Sequence, residues 1–353
     1  MTYEVKNINE LDEDTLRRKE GKMAVKSFSR VYSGLFIFSF IAGIALIAIE
    51  LALAHFLGED MFSAILNDTS VLWVLNMVAM YAVAFPIFML YIKPVPKRES
   101  MRKGKIGGLE FLRLFFVSYA SMQLLNMLAN VITDFIHNTF GVEQQASGGS
   151  DIPLAGTPLI VTLLVVVIIG PIFEELLFRK VIIGRLGRYG EKMAVIVSSV
   201  AFGFFHGNLN QMMYTIVFGL ILGNMYVKTG KLRYSILMHI VVNFFGTVPS
   251  LVMQNCSSFI ANAENTDSQE YIIANLLLVS LAILVYAFIA IGIVVLLRSK
   301  KTGLFNYCYE CEIDISPWKR IRSSILNSGA FWFFLIFTYS ILITLIPIDK
   351  LLV

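Results

Sequence analysis

Six polar side chains sit in stretches of this chain that are otherwise apolar, and their types and spacing could do chemistry. Residues 170–179 read Gly-Pro-Ile-Phe-Glu-Glu-Leu-Leu-Phe-Arg, so Glu174 and Glu175 are adjacent and Arg179 follows. On a helix, Glu175 and Arg179 are i,i+4 neighbours in the favourable acid-first order. Glu174 lies about 100° further round the axis and can face a different partner. A second stretch ends in Phe202-Gly-Phe-Phe-His206, and a third carries His239-Ile-Val-Val-Asn243, whose two polar groups stack one turn apart on one face. The chain has only four histidines. The other two, His55 and His137, fall near the ends of apolar stretches, where a partly hydrated imidazole needs no special reason. One buried histidine alone is more often a hydrogen-bonded structural group than a catalyst. A glutamate pair, two histidines and an asparagine on three successive stretches are different. Each needs partners away from water, and the others are the nearest candidates, so they predict one concerted polar site.

The elements that position these residues are apolar helices. The chain is 57% hydrophobic and 15% charged, with mean hydropathy +0.72, against about 45–50% and about 25% in soluble domains. That surplus excludes a water-soluble helical protein. Stretches almost without Asp, Glu, Lys or Arg cover 31–49, 61–92 (interrupted by Asp68), 114–133, 152–173, 193–227, 234–263, 271–297 and 323–348. About 20 apolar residues cross a hydrocarbon core of roughly 30 Å. The 193–227 stretch is long enough for two short spans, broken at Gly207-Asn208-Leu209-Asn210. The expectation is an all-α, polytopic transmembrane bundle of about 8–9 spans.

Charge placement gives an orientation. Of the 29 Lys and Arg residues, 27 fall in one set of segments: Lys6–Arg30, Lys93–Lys105, Arg179–Lys192, Lys228–Arg233 and Arg298–Arg322. The alternate loops, around 57–70, 137–157 and 251–270, carry acids but neither Lys nor Arg. By the positive-inside rule the basic loops and the N-terminus are cytoplasmic. The net charge of +4 is therefore topological, and no nucleic-acid partner is expected. The apolar stretch after residue 30 is too long for the core of a signal peptide, so no cleaved signal is expected. Cys256, Cys308 and Cys311 make no disulfide framework, and Cys308-x-x-Cys311 lacks the second half that a zinc site needs.

Four segments follow: a cytoplasmic head 1–30, N-terminal spans in 31–156, a central block 157–250, and C-terminal spans in 251–353 with a cytoplasmic loop 299–329. Counting 1.5 Å per residue puts Glu174 roughly 25 Å from Thr157 and His239 roughly 8 Å from Arg233, both near the cytoplasmic side. His206 comes out deeper, about 20 Å from Lys192. Either its helix starts out in the cytoplasm, or tilt and the Gly203 and Gly207 positions bring it back.

Glu-Glu-x-x-x-Arg at 174–179, Phe-x-x-x-His at 202–206 and His-x-x-x-Asn at 239–243 resemble, in this order, the three motifs of the CPBP (CAAX-protease and Abi) intramembrane proteases. That family includes type II CAAX prenyl endopeptidases and Abi-type bacteriocin-immunity proteins. Gly219-x-x-x-Gly223 and Thr229-Gly230 fit the intervening pattern, and the resemblance covers roughly 157–250. It implies peptide-bond hydrolysis in the membrane near the cytoplasmic face, on a membrane-associated peptide or protein that is prenylated or of leader type. Glu174 would be the general base, His206 would orient and activate the same water, and His239 and Asn243 would donate to the oxyanion. Glu175 and Arg179 read as the supporting ion pair. Glu174, His206 and His239 are also a ligand set for zinc, but H-E-x-x-H is absent and a metal-independent mechanism is favoured. Two other classes compete. A non-catalytic membrane scaffold or bacteriocin-immunity protein would be expected to lose motif residues. An ion-coupled carrier would be expected to show paired, interrupted repeats, and none is visible.

Overall fold

The computed structural model describes residues 8–99, 101–140, 157–263 and 266–310. The predicted final span 323–348, Cys311, most of the 137–157 loop and the end of the 299–329 loop lie outside these residues. Among the described residues every regular element is helical and no strand occurs. We number the helices α1 Ile8–Leu57, α2 Glu59–Asn67, α3 Thr69–Tyr91, α4 Gly108–Phe140, α5 Leu159–Tyr189, α6 Glu191–Phe205, α7 Leu209–Thr229, α8 Leu232–Ala261 and α9 Gln269–Leu297.

Six of these are long and apolar enough to cross a membrane: Lys19–Leu57 of α1, α3, Gly108–Ile136 of α4, α5, α8 and α9. The sequence predicted two further spans in 193–227, and the chain does break there, into α6 and α7. Neither is among the six. At 15 residues, α6 is about 22 Å long, short of a hydrocarbon core. Helix α7 carries Asn210, Gln211, Tyr214, Asn224 and Lys228, which an interior position tolerates. The described part of the head is helical, since α1 runs without interruption from Ile8 to Leu57 and has no proline to stop it.

Lipid is visible as the solvent. On α9, Ile272, Ile273, Leu276, Val279, Ile283, Tyr286 and Leu297 are all exposed. Such a surface would not stay in water, so the chain is an integral membrane protein. The polar site faces inward, around α7, which packs against α6, α4 and α8. Gly219 lies against the Ser199 backbone, Gly223 against Val195, and Gly203 against Ile216 and the Met212 carbonyl. Small residues here let two helix backbones approach closely. The turn between α6 and α7 has a local cause. Gly207 takes a left-handed φ of 69°, which stops α6, and the Asn208 side chain accepts from Gln211 N at 2.7 Å to start α7.

The basic segments gather at one end of the bundle. Glu191, fully buried at the start of α6, pairs with Arg98 and Arg102, and accepts from Glu310 N at 2.7 Å. Its own N–H donates to Glu310 O at 3.0 Å. Tyr309 Oη donates to Asn224 Oδ1 at 2.8 Å, and Lys228 pairs with Glu110.

Candidate active site

The site is built where α5, α6, α7 and α8 meet. Glu175 and Arg179 are both fully buried on α5, with Arg179 Nε 3.2 Å from Glu175 Oε2. That contact satisfies the distance but not the angle of a hydrogen bond, and the two Nη groups have no hydrogen-bond partner among the described residues. Charge and the faces of aromatic rings hold the guanidinium instead, with the Phe202 centroid 4.6 Å and the Phe178 centroid 5.9 Å from Cζ.

The other oxygen of Glu175 reaches α8: His239 Nδ1 lies 3.1 Å from Glu175 Oε1. A carboxylate only accepts, so Nδ1 carries the proton. The opposite ring nitrogen, Nε2, faces Glu174 Oε2 at 3.6 Å. Glu174 is the partly open member of the pair, with 19% of its side chain exposed against 4% for His239. The adjacent glutamates thus grip one imidazole at its two ends. Edge-on contacts from Phe218 at 5.2 Å and Phe202 at 5.8 Å fix the ring plane.

His206 lies one turn beyond Phe202, whose ring it meets edge-on at 4.9 Å. Its Nδ1 donates to Phe202 O at 2.8 Å, which leaves Nε2 as an acceptor. Phe202 rather than His206 is level with His239, and His206 stays within electrostatic reach of Glu174 and His239. The first turn of α6 lies in the ionic network at the basic end, through Glu191. Asn243 is one turn from His239, and its Nδ2 donates to Val166 O at 3.0 Å.

Several site groups carried no sequence signal of their own. Tyr81 on α3 stacks on Phe173 at 4.1 Å and 13°, and both Tyr81 and Tyr214 lie within electrostatic reach of Glu174. A largely apolar cavity of about 340 Å³ between α3 and α5 is lined by Val74, Met77, Tyr81, Val165, Ile169 and Phe173. Three π-helical turns, Val78–Ala84, Leu163–Ile169 and Leu176–Ile183, surround Glu174. Such turns recur at functional sites because they re-aim side chains. Only Phe202, through its place in the Phe-x-x-x-His spacing, could have been picked out beforehand. Among the described residues no three His, Cys, Asp or Glu side chains converge to hold a metal ion. Glu174, His206 and His239 therefore do not form a three-ligand cage as arranged.

Residues 156–245, which contain all six polar positions, match the family described as Type II CAAX prenyl endopeptidase Rce1-like. That segment is similar to CAAX-type endopeptidases. A Bacillus subtilis (strain 168) relative, the candidate membrane peptidase YdiL, is 27% identical over 169 residues, covering 47% of this chain and 67% of that protein. No solved structure matches. The match, the peptidase relative and the apolar helices together support a membrane protease.

Proposed function

We propose that the chain hydrolyses a peptide bond in a membrane-associated substrate, prenylated or of leader type, with Glu174 as the base. The grip of two glutamates on His239 carries this reading. Glu174 and His239 Nε2 are 3.6 Å apart, beyond a hydrogen bond, so a reacting oxygen can engage both.

The roles follow from the fixed protons. His206 Nε2 accepts one hydrogen of the water and orients it, while Glu174 takes the other as the oxygen attacks the scissile carbonyl carbon. The oxyanion receives Nε2–H of His239. Donation from both ring nitrogens requires the imidazolium form, whose charge Glu174 and Glu175 match. Asn243, with the amide hydrogen that Val166 does not use, adds a second donor. Such donors are worth several kcal/mol when preorganised. The proton on Glu174 then passes to the leaving nitrogen as the C–N bond breaks, giving a carboxylate and an amine. Glu175 and Arg179 hold the imidazole and the helix in register. The cavity beside Phe173 accepts an apolar side chain or lipid group next to the scissile bond. The basic end of the bundle is assigned to the cytoplasm, so the site opens towards that face.

The test compares new peptide termini in membranes containing wild type or Glu174→Gln at equal abundance, each with and without a zinc chelator. Cleavage products from the wild type alone, unchanged by the chelator, are expected. Matching termini in the two proteins would discard the peptidase reading and favour a non-catalytic membrane scaffold. Loss of cleavage with the chelator would discard the metal-independent mechanism.

A further inference from the structure

We infer that the Asn243 side chain stands in for the backbone N–H that Pro171 lacks, and by doing so sets the direction in which Glu174 points. In the widened turn Leu163–Ile169 the Gly170 N–H donates to Val165 O, five residues back instead of four. Continuing that register, the donor for Val166 O would be the N–H of residue 171. Residue 171 is proline and has none. The α-helical donor for the same carbonyl, Gly170, is already spent on Val165. In hydrocarbon a carbonyl in that position must find another partner, and Asn243 Nδ2 lies 3.0 Å from it.

The widening itself belongs to the proline. A proline ring clashes with the carbonyl four residues back, and stretching the turn by one residue relieves that clash. The same arrangement occurs in α3. There the π-helical turn Val78–Ala84 is followed by Phe85-Pro86, and Phe85 N–H donates to Met80 O, again five residues back. A π turn adds one residue to the helix and rotates everything beyond it by about 100° relative to a regular continuation. Glu174 lies three residues past Pro171. It faces His239 Nε2 only while this turn stays wide, and Asn243 closes the turn from α8, one helical turn from His239 itself. The two members of His-x-x-x-Asn therefore act on the two ends of one short piece of α5: His239 on the glutamates, Asn243 on the backbone that aims them.

The consequence for Glu174 rests on the peptidase reading; the repair of the carbonyl does not. Wild type, Asn243→Ala, Pro171→Ala and the double variant, purified in detergent, give a cycle in which both can be read. An alanine at position 171 restores an N–H for Val166 O. Asn243→Ala is expected to lower Tm by several degrees when Pro171 is present, and by less than half as much in the Pro171→Ala background. In the double variant part of the kcat lost in Asn243→Ala returns, with KM unchanged. Equal Tm losses in both backgrounds would overturn the inference. Coupled Tm values with no return of kcat would overturn the positioning of Glu174. Asn243→Leu, which fills similar space without a donor, should destabilise as alanine does; a leucine variant as stable as wild type also overturns the inference, whether or not Pro171→Ala folds. Coupled Tm values in a wild type that cleaves nothing would remove the peptidase reading and leave the carbonyl repair standing.

Discussion

Glu174 and Glu175 are chemically identical neighbours with opposite surroundings, and that difference separates their roles. Glu175 is sealed against Arg179 and His239, so neutralising it strands a buried guanidinium. Removing one partner of such a pair costs about 3–5 kcal/mol. Glu174 is partly open, and its loss strands no buried charge in this way. Glu175→Gln should therefore lower the unfolding midpoint steeply, whereas Glu174→Gln should melt close to wild type, as a thermal melt in detergent would show. Equal melting of the two variants would contradict the assignment of Glu175 to support. The Glu175–Arg179 pair was legible from i,i+4 spacing, because a helix fixes that geometry by itself. The link from Glu175 to His239, 64 residues away, was not, since periodicity gives the face a residue occupies and never the partner across it. For Asn243 the bond actually made runs to a backbone carbonyl, a group that no side-chain motif displays.

At the scale of elements, the apolar stretches located the helices well, and the misjudged places have definite causes. Hydropathy windows read 193–227 as two short spans, and the chain does break there into α6 and α7. Helix α6 has only 15 residues, though, and α7 carries polar side chains and packs inside the bundle. The π-helical turns went unread although Pro86 and Pro171 were in view, because a proline signals a disturbed helix without saying how the neighbours repair it. For the third turn, Leu176–Ile183, no proline is present and we have no physical account. The glycines between α6 and α7 carry a prediction of their own. A Cβ on Gly203 would press on the Met212 carbonyl at 2.9 Å and overlap Ile216. Overpacking of this kind costs about 1–3 kcal/mol. It would also displace the turn that bears Phe202 and His206. Gly203→Val should thus lose both stability and kcat, measured by melting and by cleavage rate. Normal cleavage at a lowered melting point would mean that α6 positions nothing in the site.

The whole molecule is polarised. Segments 93–107, 188–192, 228–233 and 303–310 are far apart in sequence, yet their ion pairs and backbone contacts meet at one end. Arg98 N donates to Gly184 O at 2.9 Å, Gly230 lies against the Arg102 carbonyl and Gly104 against the Lys228 carbonyl. Charge asymmetry in the sequence anticipated that these loops share a side, because a bilayer sorts loops by Lys and Arg. It could not anticipate Glu191, an acid fully buried among them that ties the loops to α6. The chain carries its own reporters of orientation. Cys308 is exposed at the basic end, while Cys256 lies in the last part of α8, towards the other. With Cys311→Ser to remove the third thiol, a membrane-impermeant maleimide should reach Cys308 in inside-out vesicles and not in intact cells. Cys256, only half-buried, should show the reverse preference or stay unlabelled in both. Labelling of Cys308 from outside intact cells would invert the bundle. The glutamate pair would then lie near the outer face, and a substrate made in the cytoplasm would have to cross the bilayer before cleavage.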